Sequence, residues 1–107
     1  MKKNSIEERF DLAIYKIQSG ETPYWDADQI IDFAEYAEDE NFIEDYETIV
    51  NYGRKLHPNN VELYIKHCRF YFLTNKNEQT LSELQAIPNP HLCEYDELYI
   101  TSLFLMK

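Results

Sequence analysis

Apolar residues recur at intervals of three and four along most of this chain, which is the spacing of one face of an α-helix. Six stretches show the pattern, and the predicted helices begin near residues 6, 27, 42, 61, 76 and 95. No stretch alternates in the manner of a half-buried β-strand. The sequence therefore predicts an all-α fold of about six helices.

Capping and helix-breaking residues mark the predicted ends. Three predicted starts have Ser or Asn followed three residues later by Glu, which is the spacing of a capping box: Ser5, Asn41 and Asn75. Gly20 is expected to end the first helix. The strongest break is His57-Pro58-Asn59-Asn60, because Pro58 cannot continue a helix and an asparagine can cap the next one.

Two of the predicted helices carry the same four residues. Glu62-Leu63-Tyr64-Ile65 returns as Glu97-Leu98-Tyr99-Ile100, and Asp28-Gln29-Ile30-Ile31 is a looser copy. Self-similarity with a period of about 34–35 residues is typical of stacked helical repeats. In such a stack each helix pair covers an apolar face that its neighbour cannot bury alone.

With this period and the turn Leu56-His57-Pro58-Asn59-Asn60, the chain resembles the tetratricopeptide repeat family. The resemblance implies one helical-repeat domain over 1–107: a flanking helix (5–19), two repeats (27–60 and 61–92) and the first helix of a third (95–107). It also implies a right-handed superhelix of antiparallel helix pairs. A neighbouring class of α-solenoid is the alternative. The residues that match the family's packing positions are Ala34, Gly53, Pro58, Tyr64, Cys68 and Tyr99.

The same resemblance implies a concave groove in which an extended peptide or a helix binds. The groove positions carried over are Asp28, Ile31, Glu35, Glu38, Glu62, Ile65, Arg69, Phe72, Glu97, Ile100 and Phe104. Helical geometry gives the same face, since the first four are spaced i, i+3, i+7 and i+10. One row of this face is acidic in all three copies and the next row is isoleucine, which favours a basic amphipathic partner.

Charge narrows the choice of partner. The formal net charge of −10 disfavours nucleic acid and anionic membrane surfaces and favours a basic protein or peptide. Between Lys16 and Arg54 there are eleven acidic residues and no Lys or Arg. This acidic stretch, which includes residues 21–47, is either a docking surface for cations or a solvated face that aids solubility.

Cysteine usage and the first residues favour a cytoplasmic protein. Cys68 and Cys93 are the only cysteines and fit two reduced thiols. Charged residues stand where a secretion signal would need an apolar segment, and no stretch reaches the length of a membrane span. Trp25, just before the second helix, is interpreted either as a cap that seals the helices or as a ligand contact.

No motif for catalysis, a metal or a cofactor emerges. Asp26, Asp28 and Asp32 lack the other ligands of a calcium-binding loop. His67 and Cys68 cannot act as base and nucleophile, because adjacent helical side chains point about 100° apart. We therefore expect neither enzymatic activity nor a bound cofactor or metal.

The sequence predicts a non-enzymatic protein-interaction module that binds a peptide or helix with basic and apolar anchors in its groove. Two alternatives stay open. The apolar last helix, including Leu103 to Met106, could make a homodimer or an assembly protomer. The chain could instead be a small acidic inhibitor that occupies the basic site of another protein.

Overall fold

The computed structural model describes residues 6–87 and 93–105. Over these two ranges the chain is all-helical, with six α-helices and no β-strand, as predicted. The helices are α1 (Ile6–Gln18), α2 (Ala27–Asp39), α3 (Ile43–Leu56), α4 (Val61–Leu73), α5 (Asn77–Leu84) and α6 (Cys93–Leu105).

Two helices begin at side-chain caps. The side chain of Asn60 accepts a hydrogen bond from the Leu63 N–H at 2.9 Å, which confirms the predicted start of α4. Asp26 caps α2 in a full capping box that the sequence analysis missed. Its Oδ1 accepts from the Gln29 N–H at 2.9 Å, and its own N–H donates to Gln29 Oε1 at 3.2 Å. The predicted cap at Ser5 lies outside the described residues.

The predicted capping boxes at Asn41 and Asn75 are wrong. Both asparagines have positive φ angles, 63° and 64°, in the left-handed region that asparagine tolerates better than most residues. The Asn41 N–H donates to the Glu38 carbonyl at 3.0 Å, so this residue closes the turn after α2. The N-caps of α3 and α5 are Phe42 and Lys76, and neither forms a side-chain cap hydrogen bond.

The chain divides into two compact units, Met1–Pro58 and Asn59–Lys107. The boundary falls inside the predicted break at residues 57–60. In the first unit α1, α2 and α3 each contact the other two, and the same holds for α4, α5 and α6 in the second. Each unit is therefore a three-helix arrangement.

The core of the first unit is rich in aromatic rings. Phe10 of α1 lies 6.2 Å from the Phe33 ring centroid and 5.0 Å from that of Tyr36, both on α2. The fully buried face of α3 completes this core with Tyr46 and Ile49. Aromatic pairs at such distances add to the stabilisation that comes from burial alone.

The core of the second unit joins all three of its helices. Its fully packed members come from α4, from α5 and the residues after it, and from α6: Ile65, Cys68, Leu84, Ile87 and Leu98. Tyrosine and phenylalanine side chains from α4 and α6 pack around this cluster and remain partly exposed. Among the residues matched to repeat packing positions, the small ones are buried: Ala34, Gly53 and Cys68. Tyr64 and Tyr99 are partly buried, whereas Pro58 is exposed.

Candidate functional site

In the first unit, the predicted groove residues separate by chemistry. Asp28 and Glu35 are exposed and Glu38 is half-buried, all on α2. Ile31, between them in the predicted groove, is only 6 % exposed. The acidic row of α2 is therefore open to solvent, but its isoleucine belongs to the core.

The same correction applies to α4. Ile65 is fully buried, because it packs against Leu84 of α5 and Leu98 of α6. Ile100 holds the same position in the repeated tetrapeptide, yet its side chain is 66 % exposed. The predicted row of three isoleucines is thus not a continuous exposed surface, and only Ile100 is available to a partner.

The other predicted groove residues of α4 are partly covered. Glu62, Arg69 and Phe72 are half-buried. The Arg69 guanidinium lies 5.9 Å from the centroid of the Phe72 ring, and its Nη1 lies 3.9 Å from Glu94 Oε2 on α6. Arg69, the one base in the predicted groove, is thus engaged in contacts within its own unit.

One side of α6 carries most of the exposed apolar surface of this helix. Ile100 and Phe104 are 66 % and 70 % exposed, and Leu103 beside them is 47 % exposed. Asp96 and Glu97 are exposed on the same side, about one turn nearer the helix start. We call these five residues the α6 face.

The opposite side of α6 is packed into the unit. Leu98 and Ser102 are 1 % and 0 % exposed, and Tyr95 and Tyr99 lie against the core cluster. The two sides of this helix therefore differ in burial although both carry apolar residues. This explains why the period of the sequence alone does not distinguish them, since apolar residues surround most of the helix.

A buried ion pair links α4 to α6 and was missed in the sequence. Lys66 is 4 % exposed, and its Nζ lies 3.2 Å from both carboxylate oxygens of Glu94. The available signal was Lys66 itself, a charged residue next to the core position Ile65 on a helix that is apolar around much of its circumference. Residues 93–105 contain no Lys or Arg, so the α6 face is purely acidic and apolar.

Three tyrosine hydroxyls are held in their neutral form. Burial raises the pKa of Tyr52. Burial, with a smaller effect from Tyr99 and Asp96, raises the pKa of Tyr95. Burial also raises the pKa of Tyr36, and the nearby carboxylates of Glu7, Glu40 and Asp11 add to this effect. Of the three, the Tyr52 hydroxyl donates a hydrogen bond to the Pro23 carbonyl.

His67 and Cys68, which are adjacent in sequence, face different surroundings. The His67 ring lies 5.3 Å from that of Tyr71, and its Nε2 is 3.9 Å from Glu83 Oε1. Cys68 is buried in the core. Within residues 6–87 and 93–105, no three His, Cys, Asp or Glu side chains gather as metal ligands.

Trp25 packs against side chains of α2 and α3. Its ring lies edge-on to Phe33 at 5.7 Å and to Tyr52 at 5.6 Å. Its carbonyl lies 2.9 Å from His57 Nε2, and the Tyr52 hydroxyl donates to the Pro23 carbonyl just before it. Through these contacts, the segment before α2 packs against α3 and against His57, the residue that follows α3.

Comparison with protein-family models, curated proteins and solved structures finds no match for this chain. The described helices also include none long and apolar enough to cross a membrane. A function must therefore be inferred from the surfaces of the chain itself.

Proposed function

We propose that this chain is a non-enzymatic protein-interaction module that binds an amphipathic helix or peptide through the α6 face. The observation that carries the proposal is the exposure of three neighbouring apolar side chains, Ile100, Leu103 and Phe104, at 66 %, 47 % and 70 %. Single exposed apolar residues are normal, whereas a contiguous group next to polar residues is typical of an interaction site.

The charges of the α6 face indicate the chemistry of the partner. Asp96 and Glu97 stand beside the apolar group, and no base lies on α6 to neutralise them. The whole chain carries a formal charge of −10, which attracts cations and repels anions. A partner helix with apolar anchors at i, i+3 or i+4 and a nearby Lys or Arg fits both features.

A tetratricopeptide-like superhelix is the architecture we propose for the whole chain. Its support is the repeated Glu-Leu-Tyr-Ile segment, the contact of α4 with α6, and the burial of Ala34, Gly53 and Cys68 at matched positions. In the resulting groove, exposed Asp28 and Glu35 would extend the acidic row. Buried Ile31 and Ile65 are not among the proposed contacts.

The proposal is tested by selecting peptides from a display library on the purified chain and measuring the affinity of each enriched sequence. Truncating a central anchor typically costs about 2 kcal/mol or more, so Ile100→Ser and Phe104→Ser should each weaken binding by about thirtyfold or more. Tyr15→Ser is the matched control, because Tyr15 is a 65 % exposed aromatic residue on α1. If the peptides bind all three variants with the same affinity as the parent chain, the α6 face is not the binding site.

Charge reversal separates the α6 face from the wider groove. Glu97→Lys should weaken a basic peptide in either case. Glu35→Lys and Glu62→Lys should also weaken it if the peptide runs along the acidic row. Unchanged affinity in both of these variants would restrict the binding site to α6 and rule out binding in the wider groove.

A homodimer through the α6 face is the second candidate, favoured by the same exposed apolar group. Like charge works against it, since each copy carries −10. Light scattering decides the point: a monomer at about 50 µM excludes a dimer with a dissociation constant below this concentration. The acidic-inhibitor alternative predicts instead that binding falls steeply with salt and does not depend on Phe104.

A further inference from the structure

Helices α1 and α2 and the segment before α2 enclose a small pocket with a volume of about 110 Å³. From α1, Arg9, Leu12 and Lys16 line it at positions i, i+3 and i+7 of one helical stripe. From the other side, Trp25, Gln29 and Phe33 line it at a spacing of four residues. All of these residues belong to the first unit.

The two bases at this pocket are unusual for this part of the chain. Arg9 and Lys16 are the only Lys or Arg between residues 6 and 53, a range that is otherwise strongly acidic. Both nevertheless line the same pocket. Neither forms an ion pair with another of the residues that the structure describes. Their positive charge is therefore free to act on a ligand.

The other polar groups at the pocket are also donors. Gln29 Oε1 already accepts a hydrogen bond from the Asp26 N–H, and the Gln29 amide NH₂ can donate to a ligand. The Trp25 indole N–H can only donate, and it has no acceptor among the described residues. Guanidinium and ammonium groups likewise only donate. A pocket whose polar side-chain groups are mainly donors is suited to an anion.

The remaining walls are apolar and aromatic. Phe33 is buried, and Trp25 is held edge-on to it at 5.7 Å, so both rings have fixed positions. Leu12 is 53 % exposed at the edge of the pocket. An inorganic anion would leave these apolar surfaces exposed to water, whereas a ligand with an apolar part would bury them.

We propose that this pocket binds a small organic acid, with its carboxylate between Arg9 and Lys16 and its apolar body against Trp25 and Phe33. An Arg–carboxylate contact adds directional hydrogen bonds to the charge attraction. Pockets that bind drug-sized ligands have volumes of about 300–1,000 Å³. The volume of about 110 Å³ fits a ligand of about the size of benzoate.

Trp25 is the only tryptophan in the chain, so its fluorescence reports on this pocket directly. Benzoate, titrated at constant ionic strength, should produce a saturable change with a dissociation constant of about 1–10 mM, as expected for so few contacting atoms. Benzyl alcohol and benzylamine keep the ring and remove or reverse the charge. Both should bind at least about twofold more weakly, since each of the two lost ion pairs contributes about 0.2–1 kcal/mol.

The variant Arg9→Met/Lys16→Met removes both charges and keeps flexible apolar stems. It should weaken benzoate binding by about twofold or more and leave the binding of benzyl alcohol unchanged. Lys55→Met is the matched control, because Lys55 is an exposed base on α3 of the same unit that does not line the pocket. Equal weakening in the control would show a general charge effect and overturn the site.

Amide and indole shifts of the unmodified chain provide a second readout that does not depend on any variant folding. Benzoate should shift the resonances of Arg9, Lys16, Gln29 and the Trp25 indole together along one saturation curve. The proposal is overturned if benzoate causes no saturable change, if benzyl alcohol binds equally well, or if the shifts cluster elsewhere in the chain.

Discussion

At the scale of single residues, Tyr52 connects the segment before α2 to α3. Its hydroxyl donates to the Pro23 carbonyl, and its ring lies 5.6 Å from that of Trp25. Removing a single intramolecular hydrogen bond of this kind costs about 0.5–1.5 kcal/mol. Near neutral pH, Tyr52→Phe should therefore lower the free energy of unfolding by about 1 kcal/mol in a urea titration.

The effect of Tyr52 should depend on pH. Burial raises the pKa of Tyr52 above 10.0, so folding favours the neutral phenol. This contribution is fully present below the pKa of the unfolded chain and is lost as the pH rises through the higher pKa of the folded chain. The difference between parent and Tyr52→Phe should shrink above pH 10.0. A difference that stays constant with pH would contradict this expectation. Tyr15→Phe serves as the control, because the Tyr15 side chain is 65 % exposed.

Asp26 gives a second test at this scale. Its carboxylate caps α2 by accepting a hydrogen bond from the Gln29 N–H at 2.9 Å. The backbone N–H groups in the first turn of a helix have no acceptor within the helix, and this bond supplies one. Asp26→Ala should lower the free energy of unfolding by about 1 kcal/mol. Asp32→Ala, an exposed carboxylate within the same helix, should change it by less than about 0.5 kcal/mol. Equal effects in urea titrations would show that the cap adds nothing.

At the scale of helices, the Lys66–Glu94 ion pair joins α4 to α6. Lys66 is 4 % exposed, so removing its partner leaves a charge in a poorly solvated site. Glu94→Gln should lower the free energy of unfolding by about 2 kcal/mol or more. Adding Lys66→Met should recover part of this loss, because the buried ammonium that lost its contact with Glu94 is then gone.

The double-mutant cycle of Lys66 and Glu94 decides whether the pair is coupled. Additive losses from the two changes would contradict a coupled pair. Glu97→Gln is the control for the same chemical change on the same helix, since Glu97 is exposed. It should alter the free energy of unfolding by less than about 0.5 kcal/mol.

The start of α2 could be predicted from apolar spacing alone, and the start of α4 because apolar spacing and local signals agree there. Pro58 and Asn60 fix the boundary before α4 by local chemistry alone. Asn41 and Asn75 misled the prediction because asparagine suits both an N-cap and the left-handed residue that ends a helix. Which role it takes depends on where the preceding helix stops, and the residue itself does not encode this.

The surfaces were harder to predict than the helices. Helical spacing places Ile65 and Ile100 at equivalent positions, yet one is fully buried and the other is 66 % exposed. Burial depends on which neighbouring helices pack against each position, and this is a tertiary property. The pocket of Arg9, Lys16 and Trp25 was missed for the same reason, since its two walls meet only when α1 packs against α2.

At the scale of the whole molecule, charge imbalance opposes folding and self-association alike. Twenty acidic residues face ten basic ones, and bringing them into a compact state increases their mutual repulsion. Salt screens this repulsion, since the Debye length falls from about 10 Å at 0.1 M to about 3 Å at 1 M. The chain should therefore become more stable as sodium chloride is added.

We expect Tm to rise by about 2–5 °C between about 0.05 and 0.5 M sodium chloride, because 1 kcal/mol corresponds to about 4–8 °C for a domain of this size. The variant Glu40→Lys/Glu47→Lys reverses two exposed carboxylates and changes the formal charge from −10 to −6. It should melt at a higher temperature in low salt and respond less to added salt. A Tm that falls with salt would show that attractive ion pairs outweigh repulsion, and equal salt responses would assign the effect to general salting-out instead of net charge.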